Sequence, residues 1–461
     1  PPNHPQNPTH VTLSPVTQPI TKRPIEAYTR AVISQGPTVL EFPQNSVPVI
    51  VIGRSTTALS IQRLVAKLGY PVHAACPQDS WSATTKHYRP LPATFLGRWR
   101  GELGKFGYAH LHALPFEKAI LIPSSDDDAL WASRLPPKLR ERFLVCSSDP
   151  ATMHALQDKG EFAELASQHG IACPVSYPVR SRRDLLDFPF TEAGSYFFKP
   201  LDSQAFRRKF GVKAMAFSDR DSALRLWDDN DLVSEGVLIQ EYVPGQADDH
   251  YFIDGFIDRR GAVIAQLARR RLRMYPADFG NSSLCRSVPI AAVDTAWEAL
   301  RSLLETVSYR GIFSAEFKRD ARDGRFRLIE INTRPWIYIQ FADECGINFC
   351  DLYIRDALGE KLAPASAPTP GKYCVNLVAD LRALRDLPAA SRPSGPRVLA
   401  VWLRSFKLLF EWSDLRPAVR SSFETLGSWI DHFRRLLKDA WQRSPAIRGL
   451  TNGKRKTKVS Q

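Results

Sequence analysis

The 461-residue sequence has no Cys-x-x-Cys pair, no Gly-x-Gly-x-x-Gly fingerprint and no apolar run near the length of a membrane span. The first absence removes a short-spaced zinc or redox site. The seven cysteines, an odd number, read as reduced thiols of a cytoplasmic protein. The second absence leaves little for a dinucleotide to bind. The longest apolar runs, such as Val398 to Leu403, fall far short of the roughly 20 residues that a spanning helix needs. No secretory signal is visible, and because the chain begins at Pro1 without a methionine a trimmed start stays open.

What is present is enough apolar material, 44% of residues, to bury a sizeable core, at a length that suggests about three domains. The net charge is +14, and about ten of those charges lie after Ala390, ending in Lys454, Arg455, Lys456 and Lys458. Basicity confined to one end argues against specific nucleic-acid recognition. Two readings of the basic end stay open, a solvated tail and a weak contact with an anionic membrane or polymer.

Residues 1–45 are rich in Pro, Thr, Gln and Asn without apolar period and read as a disordered arm. Val49 to Ile52, then Ile61, Leu64, Val65 and Leu68 at helical spacing, then Pro71 to Ala75, predict a β-α-β opening of a parallel sheet in a unit over 46–150. Asp126, Asp127 and Asp128 read as a solvated helix start. A second unit, 151–365, alternates strands and helices as an α+β construction, in lobes of about 151–235 and 236–365. Residues 366–446 carry helical patterns around Val398 to Trp412 and Phe423 to Trp441, read either as packing on the body or as an interfacial helix. A basic tail, 447–461, follows.

The chemistry concentrates in Ile312 to Trp336. Two alternating apolar runs flank Arg322, Asp323 and Gly324, the mark of a β-hairpin. Alternation puts Glu330 and Asn332 on one face and Ile329 and Ile331 toward the core. A three-residue loop ending in a left-handed Gly324 pairs Ala321 with Arg325 and so sets Glu316 opposite Glu330. Facing carboxylates repel unless a hard cation such as Mg²⁺ joins them. Arg334 and Trp336 continue the polar row. Lys199 ends a strand before Pro200, and Arg269, Arg271 and Arg273 alternate along another, a row suited to an anion with several oxygens.

Together these residues resemble the ATP-grasp superfamily, within it the carboxylate-amine ligase group, over about Val47 to Gly359. The resemblance implies an α/β Rossmann-like pre-ATP-grasp domain, a two-lobed α+β ATP-grasp domain and a helical C-terminal extension. Asp158-Lys159 with His169 to Pro174 looks like the element holding the first phosphate lysine, Lys159, and Lys199 looks like the second. Leu238 to Gly245, LIQEYVPG, resembles the adenine hinge. There Gln240, Glu241 and the Val243 backbone would bind the base, and Asp248 or Asp249 the ribose. Glu316, Glu330 and Asn332 match the magnesium ligands, with Mn²⁺ as a substitute, and Arg334 the arginine that steadies the phosphoryl group. The chain departs from the pattern at Leu201 to Val212, where Gly211 is the only glycine and Arg207, Arg208 and Lys209 supply charge.

The implied reaction joins a small-molecule carboxylic acid to an amine through an acyl phosphate, with Arg271, Arg273 or Arg334 meeting the oxyanion. Other ATP-grasp acceptors, as in a carboxylase or phosphotransferase, and a non-catalytic ATP- or polymer-binding protein are the competing readings. The sequence sets neither substrate nor oligomeric state.

Overall fold

A computed structural model of the chain describes residues 47–91, 103–190, 195–201, 206, 209–233, 236–277 and 279–423. The expected arm, the basic tail, most of the Phe423 to Trp441 pattern, and Arg207 and Arg208 lie outside them. Among the described residues no helix is long and apolar enough to cross a membrane.

The opening unit folds as its periodicity predicts. Strands β1 (Val49–Ile52), β2 (Val72–Ala75), β3 (Ala119–Pro123) and β4 (Phe143–Leu144) form one parallel sheet in the order β2-β1-β3-β4. Helix α1 (Thr56–Lys67) crosses between the first two, capped by Ser55. After β1 the chain turns at Gly53 with φ +130, and a Cβ there would lie 1.9 Å from Ser124 Oγ, so glycine is required. The three aspartates open helix α2 (Asp126–Ser133), which Ser125 caps. They are not uniformly solvated: Asp128 is buried, whereas Asp127 is exposed.

Four strands, β5 (Ser176–Val179), β6 (Tyr196–Pro200), β7 (Met215–Phe217) and β8 (Val237–Glu241), make an antiparallel sheet ordered β5-β8-β6-β7. Its aromatic core gathers Phe188, Tyr196, Phe198, Phe217 and Trp227. Helix α3 (Lys159–Gln168) leads into this sheet.

The largest sheet has seven strands, ordered β13-β12-β9-β10-β11-β14-β15. They are β9 (His250–Ile257), β10 (Val263–Tyr275), β11 (Asn281–Val288), β12 (Gly311–Arg319), β13 (Phe326–Asn332), β14 (Tyr373–Val375) and β15 (Phe406–Lys407). Helix α4 (Asp294–Thr306) packs its apolar side, Leu300, Leu303 and Leu304, in one core with Ile253, Phe313 and Ala315. Another core joins β1 and α1 to Trp336, Tyr338 and Phe341, so the first unit and the largest sheet share buried surface.

The C-terminal region carries the expected helices together with two short strands that were not expected. It does contain α5 (Leu377–Asp386) and α6 (Gly395–Arg404), but it also adds β14 and β15 to the sheet, and the helix expected through Trp412 stops at Arg404. The region is bound to the body: Arg63 on α1, almost fully buried, donates to Asp414 at 3.0 Å.

Candidate active site

The acidic hairpin is β12–β13. Glu316 does face Glu330 across the ladder, but two features that the sequence hides produce that register. The turn is one residue longer than expected, since Asp320, not Ala321, exchanges hydrogen bonds with Arg325 and Gly324. Carried down an unbroken ladder, that extra residue would place Ile329 opposite Glu316. A bulge between Phe317 and Glu316 absorbs Ile329 and restores the pairing. Ile329 is therefore only half-buried, a correction to its core placement, while Leu328 and Ile331 fill the core. Gly324 is left-handed, with φ +73, as the turn requires.

Directly paired side chains share a face. On this face Asn332 Nδ2 donates to Glu330 at 3.2 Å, and Asn332 Oδ1 accepts from Arg334 at 2.8 Å. Arg334 reaches Asp126 at 3.0 Å, so the start of α2, expected to be merely solvated, meets the polar row. Its Nε is buried without a partner among the described residues, as is Trp336 Nε1. Burial would raise the Glu316 carboxyl, but Arg271 at 3.1 Å and His250 at 2.9 Å outweigh it and hold it at about 2. Burial pushes the His250 pKa below its ordinary value despite Glu316.

Lys199 stands on β6 across from this row. Its ammonium donates to Gln240 Oε1 at 3.1 Å, and Gln240 in turn donates to Ser176. Burial depresses the lysine pKa, with Glu330 and Glu316 the main charges opposing the shift, which puts both carboxylates within its electrostatic reach. Lys159 lies near the end of the same strand, its ammonium on the carbonyls of Pro200 and, at 2.8 Å, Leu201. Of the basic group after it, Lys209 pairs with Asp231 at 3.5 Å.

The hinge residues are more engaged than expected. The Glu241 carboxylate takes Arg322 from the hairpin tip and the Val175 N–H, and Val243 is buried. Asp248 pairs with Arg270 at 2.8 Å and Asp249 with Arg319 at 3.0 Å, so both carboxylates expected to face a ribose are turned to arginines.

The arginine row departs most from expectation, because its three guanidinium groups do not converge on one vacant space. Arg269 is buried against Asp254 at 2.7 Å, under Phe252 and Tyr338. Arg271 binds Glu316 and Ser282. Arg273 lies beyond a bulge and forks onto Asp380 of α5 at 2.8 and 2.6 Å.

Sequence reading missed His250 and Lys318. His250 begins β9, outside the motifs read from the sequence, and its ring nitrogen meets Glu316 at 2.9 Å. Lys318 is buried two residues from Glu316, with its ammonium 4.5 Å from the Tyr242 ring centre; that two-residue spacing was a usable signal. All seven cysteines are free, and Cys285 lies opposite Cys374 in the β11–β14 ladder.

A parallel-sheet unit, an antiparallel four-stranded lobe and a seven-stranded sheet carrying the acidic hairpin make up the fold of the ATP-grasp enzymes. The D-aspartate ligase of Enterococcus faecium is 22% identical over 265 residues, 53% of this chain and 60% of that ligase. The match thus spans less than two thirds of that relative. Among solved structures, N5-carboxyaminoimidazole synthetase from Staphylococcus aureus superposes with a TM-score of 0.54 at 14% identity, over 75% of this chain and 87% of its own. Biotin carboxylase from Campylobacter jejuni gives 0.53 at 13%, over 71% and 74%. The carboxyaminoimidazole ribonucleotide synthase of Aspergillus clavatus, complexed with ATP, gives 0.52 at 13%, over 71% and 80%. At these identities the structural likeness establishes the fold. No family model matches the chain.

Proposed function

We propose that the chain is an ATP-dependent carboxylate-amine ligase, forming an amide or peptide bond through an acyl phosphate and releasing ADP and phosphate. The observation that carries this reading is the register of Glu316 with Glu330, continued by Asn332 and Arg334, opposite Lys199. In this reading Gln240 to Val243 border the base, Lys159 and Lys199 face the phosphates, and Asp248 or Asp249 reaches the ribose after releasing its arginine.

Two carboxylates and an amide oxygen are hard donors that suit Mg²⁺, with Mn²⁺ as a substitute, since that ion takes one or two carboxylates together with substrate phosphates. The ion would neutralise charge on the phosphoryl group in transfer. The site needs no third acidic ligand, and no cluster of three or more His, Cys, Asp or Glu suited to a metal occurs among the described residues. Glu316, held at about 2, is a ready anion at neutral pH.

The substrate carboxylate attacks the γ-phosphorus, and as that O–P bond forms the bond to the β,γ-bridging oxygen breaks, releasing ADP. Lys199 and Arg334 stand against the developing charge. The amine then attacks the acyl carbon, phosphate leaves and the nitrogen loses a proton. Arg334, with its unpartnered Nε, and Arg271 are the donors nearest this chemistry, whereas Arg273 serves as the anchor of α5. Closure of the small lobe on the large sheet would keep water from the acyl phosphate.

The test is ADP release across a panel of acids and amines. With a suitable acid, release should be slow alone and faster with amine, and hydroxylamine should trap a hydroxamate. Arg334→Ala should suppress both outcomes together. ATP with Mg²⁺ at about 100 times its Kd should stabilise the fold by about 2.7 kcal/mol. A phosphorylated side chain, or ADP release that never yields hydroxamate, would overturn the mechanism.

A further inference from the structure

The catalytic reading leaves one surface unused. Helix α6 is tied to α5 on its inner side, where Trp402 Nε1 donates to Asp380 at 2.7 Å. Its outer side carries Pro396, Leu399 and Leu403 at helical spacing, and the two leucines are 56% and 70% exposed. Neighbouring α5 repeats the pattern with Leu377 and Leu381, again four residues apart and exposed. Beyond α6, Trp412 is 83% exposed, followed by exposed Val419 and Phe423.

Exposed apolar residues scattered singly are ordinary, but i, i+4 leucine pairs on two helices joined by the Trp402–Asp380 bond, followed by an exposed tryptophan, concentrate exposed apolar side chains in this one region of the chain. The charge around it selects the cover. Arg397, Arg404 and Arg416 are exposed among these residues, and within 391–423 six Lys and Arg stand against two Asp and Glu, a net charge of +4. A second copy would set cations against cations. An anionic bilayer supplies both what the leucines and tryptophan lack and what the arginines attract, to a helix that lies in the interface.

We propose that the outer faces of α5 and α6, with Trp412, dock this protein on an anionic lipid surface. The proposal goes beyond the ligase reading and does not depend on it. Docking would hold the enzyme through α5, whose Asp380 grips Arg273 in the largest sheet.

The full-length chain is sedimented with vesicles of phosphatidylcholine mixed with phosphatidylglycerol, and with phosphatidylcholine alone. It should pellet with the mixed vesicles, weaken as salt rises, and pellet little with the neutral ones. Leu399→Glu with Leu403→Glu should lower vesicle partitioning at least about tenfold while leaving the ATP thermal shift intact, since neither side chain is buried. Trp412→Ser should lower it by a smaller factor. No pelleting of the full chain overturns the proposal, as does equal pelleting with neutral vesicles. Unchanged partitioning in the double variant assigns the binding to the basic tail and overturns it too, and so does a dimer dissociated by the variant without lipid binding.

Discussion

Two polar rows lie on one sheet with two strands between them, both legible from alternation, and they behave in different ways. On β10 each arginine is matched by a carboxylate from another element: Asp254 on β9 for Arg269, Glu316 on β12 for Arg271, Asp380 on α5 for Arg273. On and just after β13 the row stays more open: Glu330 is exposed and, among the described residues, is hydrogen-bonded by Asn332 alone, and Arg334, although paired with Asp126, keeps an unpartnered Nε. Alternation reports which residues share a face, not what distant segment answers them. A row of like charge is therefore a ligand site only where the fold leaves it unanswered.

The sharpest way to break that contrast is to remove a partner from the closed row. Asp254→Ala would strand the Arg269 guanidinium in a site with almost no solvent access. Breaking a buried pair on one side costs about 3–5 kcal/mol, so the urea midpoint should fall steeply. A midpoint unchanged within error would mean that water reaches Arg269 and that the row is not closed.

The open row should respond in the other currency. Glu330→Gln keeps the shape and removes one anionic oxygen from a side chain in no ion pair, so stability should hold within about 0.5 kcal/mol. Turnover, once a substrate pair is found, should drop about a hundredfold or more, the usual scale for a charge-stabilising group in the transition state. Loss of fold with loss of rate would place Glu330 among the structural ion pairs instead.

Much of this arrangement could be read before the fold. The β-α-β opening, the β12–β13 hairpin, the strands bearing Lys199 and Arg269 to Arg273, and the pairing of Glu316 with Glu330 all follow from alternation and turn chemistry. The pairing emerged correctly although the turn length was misjudged by one, because the bulge at Ile329 offsets the longer turn; neither has a sequence signal as strong as Gly324. Strand β11 is hard to read because its buried positions include Ser282, Ser283 and Ser287, small hydroxyls partnered by Arg271, Asp380 and the Thr369 carbonyl. Asp254 and Asp380 are ordinary aspartates in sequence, and only the chain path brings them to Arg269 and Arg273. The strands β14 and β15 are three and two residues long, below what a period can reveal.

Asp128 gives the smallest expected effect and tests the rule from a third side, since it is a buried carboxyl with no cation of its own. Burial raises its pKa to about 6, only partly offset by the hydrogen bond from Ser125, with Asp127 and Asp126 adding to the rise and Arg334 opposing it. A carboxyl whose folded pKa exceeds its unfolded value binds protons more tightly when folded. Its contribution is therefore favourable at low pH and is lost as pH rises from about 4 through about 6. At pH 7 the ionised group should cost about 3 kcal/mol relative to a neutral one. Asp128→Asn keeps an oxygen for Ser125, and its new amide would lie near Ser124 Oγ, which crowds the same point beside Gly53 and has no partner among the described residues. The variant should melt higher than the parent at pH 7, with the advantage shrinking toward pH 4, where the parent carboxyl is already protonated. An advantage that does not change between those two pH values would show that Asp128 is neutral throughout, or that its charge is answered by a partner that the neighbouring row supplies.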